Sequence, residues 1–276
     1  IRVNNGIFLS FSLFSCYSEG MEHDNLLEKE ILSLLSPELP LSLLCFDELP
    51  STNTFLKELG RAGAPANTVC LARCQSAGRG RLGRRFESRA GQGLYLSMLL
   101  RPRVSPEAML PATGLAAVAA MAAVEKASGL ICGIKWTNDL VCRQKKLCGI
   151  LAELGFSPEG MLDHVVIGVG INMNQRQEDF PPELQPMATS LLMEEHPASL
   201  PVLAASLIRE LFPLTGLLES GEYEAYLARY RSRCLTLGKE VLLVKNGESR
   251  PARALDIDDS FGLLVEYPDG NCATVT

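Results

Sequence analysis

The sequence predicts an α+β fold: a mixed β-sheet backed by helices, followed by a small antiparallel β-barrel. Three observations predict it. Apolar runs of strand length alternate with amphipathic segments of helix length as far as residue 233. One segment, 107–129, is so rich in alanine and so poor in polar residues that it reads as a helix buried in the core. From Leu235 the character changes to short strands separated by turn signals.

In chain order, Leu27, Ile31, Leu34 and Leu35 recur at helical spacing, so residues 24–36 form an amphipathic helix that Pro37 and Pro40 end. A short strand covers 43–47. Ser51-Thr52-Asn53, all preferred helix N-caps, then open a helix through residue 61. Apolar runs at 68–73 and 93–100 are strands. Pro111 is compatible with the first turn of the buried helix that follows. Strands are expected at 130–136, 139–143, 146–154 and 164–171. Residues 174–197, punctuated by prolines, form a loop region with a short helix, and helices over 200–219 and 222–233 close the main part. The terminal strands, 239–244, 252–257, 262–267 and 272–275, are separated by Asn246-Gly247, Asp258-Asp259 and Asp269-Gly270. The expected organisation is a main domain over 21–234 and a small β-domain over 235–276.

Composition narrows the function classes. With 47% hydrophobic and 21% charged residues the chain is ordinary globular protein, neither disordered nor collagenous. A formal net charge of -6 argues against a general nucleic-acid binder, which carries excess Lys and Arg. The nine cysteines include no Cys-x-x-Cys, and most sit in apolar runs, as Cys70, Cys132, Cys142 and Cys148 do. They read as buried thiols, and the expected location is the reducing cytoplasm. His23, His164 and His196 are scattered, so no protein-held metal is expected. Residues 1–20 begin with Ile1 and carry a short apolar stretch behind Arg2 without a clear cleavage site. They read as a non-native or disordered upstream segment, with Met21 as the start. No run approaches the ~20 apolar residues that span a bilayer, so no membrane association is expected.

Three stretches carry chemistry. From Gly78 to Arg85, four arginines and three glycines occupy eight residues, in Gln75-Ser76-Ala77-Gly78-Arg79-Gly80-Arg81-Leu82-Gly83-Arg84-Arg85-Phe86. Glycine permits close backbone approach, and arginine offers a planar fork of donors to phosphate or carboxylate. By spacing alone this is equally a solvated basic turn. Its place between two strands of an acidic protein makes it a binding loop and not a tail, and it lacks the Walker pattern. The second stretch is Lys135-Trp136-Thr137-Asn138-Asp139 with Lys145-Lys146-Leu147-Cys148-Gly149-Ile150-Leu151-Ala152-Glu153. Asn138-Asp139 suits a hairpin turn, and Lys146 is either a snorkelling edge lysine or a charge aimed into a site. The third is Gly168-Val169-Gly170-Ile171-Asn172-Met173-Asn174, where a lone Gly-x-Gly is weak and can simply admit a neighbouring backbone.

Singly these stretches are ambiguous; their order is not. Ser-Thr-Asn, Gln-x-Ala-Gly-Arg-Gly-Arg, Lys-Trp-x-Asn-Asp, Lys-Leu-x-Gly-Ile-Leu and Gly-x-Gly-x-Asn-x-Asn together resemble the biotin–protein ligase family over roughly residues 45–276. The resemblance implies a class II synthetase-like catalytic domain and an SH3-like terminal barrel. It implies ATP-dependent formation of biotinyl-5'-AMP, with magnesium, and transfer of biotin to a lysine of a carboxylase's biotin carboxyl carrier protein. Ser51, Thr52, Asn53 and Gln75 match the polar set that holds the biotin head. Arg79, Gly80 and Arg81 match the loop that closes over biotin and the adenylate. Arg84 is expected to reach the ATP phosphates, with Arg79, Phe86, Lys135, Asn138 and Asn172 also on the nucleotide side. Lys146 matches the lysine beside the biotin carboxylate, and Asp139 would aid the transfer step.

Thr137 stands where the family usually has proline, Phe86 where tryptophan is common, and Leu82 where arginine is frequent. Only about thirty residues separate Met21 from Ser51, so a helix-turn-helix repressor domain and DNA binding are not expected. A monomer or a homodimer is expected. The rivals are a lipoate–protein ligase of related fold, a catalytically inactive biotin-binding sensor, and an RNA-binding protein using the Arg-Gly loop. The motif set favours biotin, and the retained Arg81, Lys146, Asp139 and Asn172 favour an active enzyme. The net acidity and the lack of stacking aromatics disfavour RNA.

Overall fold

The computed structural model describes residues 22–245 and 248–276. The expected upstream segment 1–20, Met21 as first residue and the Asn246-Gly247 turn lie outside the described residues. Helix α1 (Asn25–Leu34) is capped by Asp24, whose carboxylate accepts from the Leu27 N–H at 3.0 Å, and it buries Leu27 and Ile31. Strand β1 (Ser42–Leu49) leads into α2 (Thr52–Arg61) and returns as β2 (Thr68–Gln75), parallel to β1. Strand β3 (Gly93–Leu100), helix α3 (Ala112–Ser128), β4 (Gly133–Lys135), β5 (Asp139–Cys142), β6 (Lys145–Phe156) and β7 (Leu162–Asn172) follow. The seven strands form one sheet in the order β1-β2-β3-β7-β6-β5-β4, antiparallel except for β1–β2. This is the mixed sheet that the sequence predicts.

The sheet is covered on both faces, which explains why its strands read as continuous apolar runs. On β1, Leu43 and Cys45 join one hydrophobic cluster, while Leu44 and Phe46 join the other; on β2, Val69 and Leu71 alternate with Cys70 and Ala72 in the same way. Helix α2 covers the smaller cluster through Phe55, Leu56 and Leu59. The larger one holds α1, α3 and α4 (Leu200–Leu211). Ala112 and every residue from Gly114 to Val124 are buried, which accounts for the composition of α3, and Gly129 ends it in the left-handed conformation at φ +74°.

Two expectations are corrected. The single helix over 200–219 is two helices, α4 and α5 (Leu214–Ser220), because Pro213 cannot donate to the preceding turn and instead starts the second. Residues 107–128 and 200–220 are also long and apolar enough to cross a bilayer by length and composition, contrary to the sequence-based expectation. In the first of these, burial within the fold explains that character, 78% of its apolar window being enclosed. Helix α6 (Glu224–Arg233) leads to β8 (Glu240–Lys245), β9 (Glu248–Ile257), β10 (Leu263–Glu266) and β11 (Cys272–Val275), an antiparallel sheet in the order β11-β10-β9-β8. Its Phe261 packs where Gly114 of α3 has no side chain, and Trp136 donates its indole N–H to the Phe261 carbonyl at 2.9 Å.

The β5–β6 connection is a two-residue turn in which Arg143 and Gln144 both take positive φ, +45° and +69°. L-residues with a Cβ adopt this conformation at a cost. Arg143→Asn combined with Gln144→Gly, the pair that such turns favour, is expected to add about 1 kcal/mol of stability, read as a higher Tm.

Candidate active site

Six pieces of chain meet over the middle of the sheet. The N-terminus of α2 brings Ser51, Thr52 and Asn53; the end of β2 brings Gln75; the loop after it brings Arg79, Gly80, Arg81 and Phe86; the β4–β5 turn and β6 bring Asn138 and Lys146; and β7 brings Gly168 and Gly170. These residues line one cavity, open to solvent at one side. Ten of the residues expected from the sequence therefore come together there.

The inner wall is a polar network. Ser51 caps α2, its hydroxyl accepting from the Thr54 N–H at 3.4 Å. Gln75 Oε1 accepts from the Thr52 backbone N–H at 2.9 Å and from its hydroxyl at 3.2 Å, and Gln75 Nε2 donates to Ser88 at 2.9 Å. The Thr52 and Ser97 hydroxyls lie 2.7 Å apart, and Ser97 donates to Asn53 Oδ1 at 2.6 Å. Asn53 Nδ2 donates to Glu153 at 3.0 Å, and Glu153 also pairs with Lys57 at 2.8 Å and Arg79 at 3.1 Å. Ser51, Thr52, Asn53, Ser88 and Ser97 are all buried. Buried groups of this kind need partners, and the network supplies them.

Glycines make the space. A Cβ at Gly168 would overlap the Asn53 carboxamide oxygen, and one at Gly170 would come within 2.6 Å of the Phe86 ring. The Gly-x-Gly of β7 thus admits two side chains rather than a neighbouring backbone. Gly149 and Gly170 are register partners on β6 and β7, and Phe86 lies over both. The loop itself is a small hairpin: Arg79 bridges Arg85, the Gly80 N–H donates to the Arg84 carbonyl at 2.8 Å, and Leu82 and Gly83 turn the tip at φ +56° and +72°. Leu82 is 89% exposed.

Cations gather at the mouth. Lys146 Nζ pairs with Asp139 at 2.7 Å, and Arg81 donates to Asn138 Oδ1 at 3.4 Å. Asn138 Nδ2 in turn donates to the Ile150 carbonyl at 2.9 Å, tying the turn to β6. Four expected residues do not line the cavity. Asp139 reaches it only through its pair with Lys146. Lys135 is exposed, and so is Arg84, whose guanidinium has no hydrogen-bond or ion-pair partner among the described residues. Asn172 is buried with its carboxamide engaged, donating to the Thr189 carbonyl at 3.0 Å and accepting from Gln175 at 3.2 Å. Ser97, Ser88, Tyr95 and Glu153 are the site residues that sequence reasoning missed. A buried serine within the apolar run 93–100, and an acid at the end of the Gly-Ile-Leu strand, were the available signals. Burial pushes the Cys132 thiol up to about 12 and Cys142 to about 11, and holds Cys70 and Cys148 well above the ordinary thiol value, so these sulfurs stay protonated. An open groove adjoins the cavity and shares Arg81, Ile150 and Leu151 with it; Trp136, Leu110 and Phe261 form its far side.

The model of the biotin/lipoate A/B protein ligase family matches residues 45–172, which hold every line of the cavity. The chain is 34% identical over 236 residues to the bifunctional ligase/repressor BirA of Bacillus subtilis, a match spanning 83% of this chain and 70% of that protein. The chain belongs to the biotin–protein ligase family. It is also 34% identical, over 227 residues, to the biotin--[acetyl-CoA-carboxylase] ligase of Mycobacterium tuberculosis, covering 78% of this chain and 80% of that one. Among solved structures, a biotin protein ligase from Aquifex aeolicus in complex with biotin and ATP superposes with a TM-score of 0.71 at 27% identity, covering 85% of this chain and 95% of the other.

Two outcomes follow from the packing and the charges. Gly168→Ala forces Asn53 out of the network and is expected to lower stability by about 1–3 kcal/mol in denaturant unfolding, whereas Gly216→Ala, with nothing within 4 Å, is not. Burial raises the Glu153 carboxyl, but hydrogen bonds from Lys57 and Asn53 and the charges of Lys57 and Arg79 outweigh it, so its pKa lies below the ordinary 4.5. A depressed folded-state value stabilises fully above the unfolded one and is lost as pH falls through the folded one. The Tm difference between the native chain and Glu153→Gln is therefore expected at neutral pH and to shrink on acidification below 4.5.

Proposed function

We propose that this chain is an ATP-dependent biotin–protein ligase, forming biotinyl-5'-AMP and transferring biotin to a lysine of a biotin carboxyl carrier protein. The observation that carries the reading is one cavity with a buried hydrogen-bonding wall and a cationic mouth. The wall, Ser51, Thr52, Asn53 and Gln75, suits the ureido head of biotin. A dithiolane offers that polar wall neither donor nor acceptor, which favours biotin over lipoate.

Arg79, Arg81 and Lys146 face the opposite need. A carboxylate and a polyphosphate repel each other, and positive groups at their meeting point offset the repulsion and stabilise charge building on the α-phosphate. Lys146 already pairs with a carboxylate, Asp139, and a biotin carboxylate is the same partner chemistry. Magnesium would come with ATP and offset the charge of its phosphates. Attack of the biotin carboxylate oxygen on the α-phosphorus releases pyrophosphate. The Gly78–Phe86 loop would then exclude water from the mixed anhydride. A neutral acceptor lysine attacks the acyl carbon and AMP leaves, with Asp139 placed to take the proton once Lys146 turns to the substrate. Phe86 would offer the adenine an aromatic face, and Arg84, without a partner among the described residues, would meet the phosphates. Lys135 and Asn172 would act on the nucleotide side, Asn172 through the segment at Thr189 that its carboxamide holds.

The test combines the purified chain with ATP, magnesium, biotin and an apo carrier domain, read by streptavidin blot and by biotinyl-adenylate formation. Lys146→Ala is expected to slow adenylate formation at least about 100-fold, the cost of losing a positioned charge at the reacting centre. Arg81→Gly is expected to form the adenylate yet release it to solution. Normal adenylate formation by Lys146→Ala would remove that residue from the mechanism, and labelling with lipoate in place of biotin would reverse the substrate choice.

A further inference from the structure

Glu153 does not line the cavity, and no motif assigned it a role, yet it holds three pieces of the site together. Its side chain is 12% exposed. One carboxylate oxygen accepts from Asn53 Nδ2 at 3.0 Å; the other meets Lys57 Nζ at 2.8 Å and the Arg79 guanidinium at 3.1 Å. We propose that Glu153 is a positioning residue. It sets which end of the Asn53 carboxamide faces Ser97, and it tethers the Arg79 limb of the Gly78–Phe86 loop over the cavity. That the ligand is biotin rests on the function proposed above; the tether does not.

The two ends of a carboxamide are nearly equal in size, so neighbours decide their orientation. Asn53 Oδ1 accepts from Ser97, while Nδ2 donates to Glu153 and to the Leu151 carbonyl at 3.3 Å. An ionised carboxylate only accepts, so it commits Nδ2 to that side. Asn53 and Lys57 are four residues apart and share one face of α2, which brings both to the same acid. The two cations differ in how they are held. Lys57 is 21% exposed and Arg79 45%, so Arg79 is the more solvated and the readier to let go. Arg79 also reaches the Thr54 hydroxyl at 3.5 Å, keeping the loop on α2. A single acid thereby couples recognition at the closed end of the cavity to closure at its mouth.

Two variants separate the two roles. Glu153→Gln keeps an acceptor for Asn53 but removes the charge that holds Arg79; Glu153→Ala removes both. The loop offers trypsin Arg81, Arg84 and Arg85, all exposed. Cleavage there, measured on the full chain without substrates, is expected to accelerate about tenfold in both variants, as loss of a charge-assisted pair predicts. Biotin affinity by titration calorimetry is expected to stay within about threefold for Glu153→Gln and to fall about tenfold for Glu153→Ala. Wild-type loop cleavage in Glu153→Gln overturns the tether, and wild-type biotin affinity in Glu153→Ala overturns the orientation of Asn53. Should either variant fail to fold, Arg79→Gln breaks the same pair from the other side, and its loop must cleave at the accelerated rate. A native chain that binds no biotin defeats the proposed function, while the cleavage comparison still decides the tether.

Discussion

The site depends on buried polar side chains held among strands that are otherwise apolar, and the contact that makes this possible is the seating of Asn53 against Gly168. A carboxamide removed from water needs all its hydrogen-bonding groups met. Asn53 meets them through Ser97 on β3 and through Leu151 and Glu153 on β6. Each of those partners is in reach only because β7 carries no side chain where the carboxamide lies. The remainder of the wall, from Thr52 through Gln75 to Ser88, extends from the same helix terminus.

The sheet makes this arrangement rigid. Its two faces are filled by separate hydrophobic clusters, so α2 cannot slide without opening one of them. The loop that carries the arginines is built differently. Its backbone closes as a small hairpin, but its tip is exposed, and beyond the seat of Phe86 on β6 and β7 its ties to the rest are a few polar contacts at Arg79, Arg81 and Arg85. A firm wall and a lightly held cover suit the proposed reaction through a hydrolysable anhydride.

Much of this was legible in the sequence. Strand and helix positions followed from apolar spacing, and the alanine-rich helix was recognisable as core because polar residues were missing all round it. The helix break at Pro213 was also readable, and the long apolar pattern on both sides concealed it. For the site, the N-cap run and the Arg-Gly loop announced themselves by residue type. Ser97 and Glu153 did not, since a serine in a strand and an acid at a strand's end have ordinary explanations until their partners, 44 and 100 residues away, are brought beside them. Asn172 shows the reverse. A motif residue can be spent on holding a neighbouring segment, and sequence alone does not separate that from contact with a ligand.

The seat of Phe261 on Gly114 has a consequence for how the chain comes apart. The terminal sheet contributes Ala252, Ile257, Phe261 and Val265 to the same apolar cluster as α3, and Tyr230 meets Phe261 edge-on at 5.1 Å between ring centroids. A cut at the apparent boundary near residue 235 would leave part of an alanine helix facing water on one side and strands without an inner face on the other. The two parts that a reader of the sequence would separate therefore share one apolar cluster, and each shields surface that the other would expose.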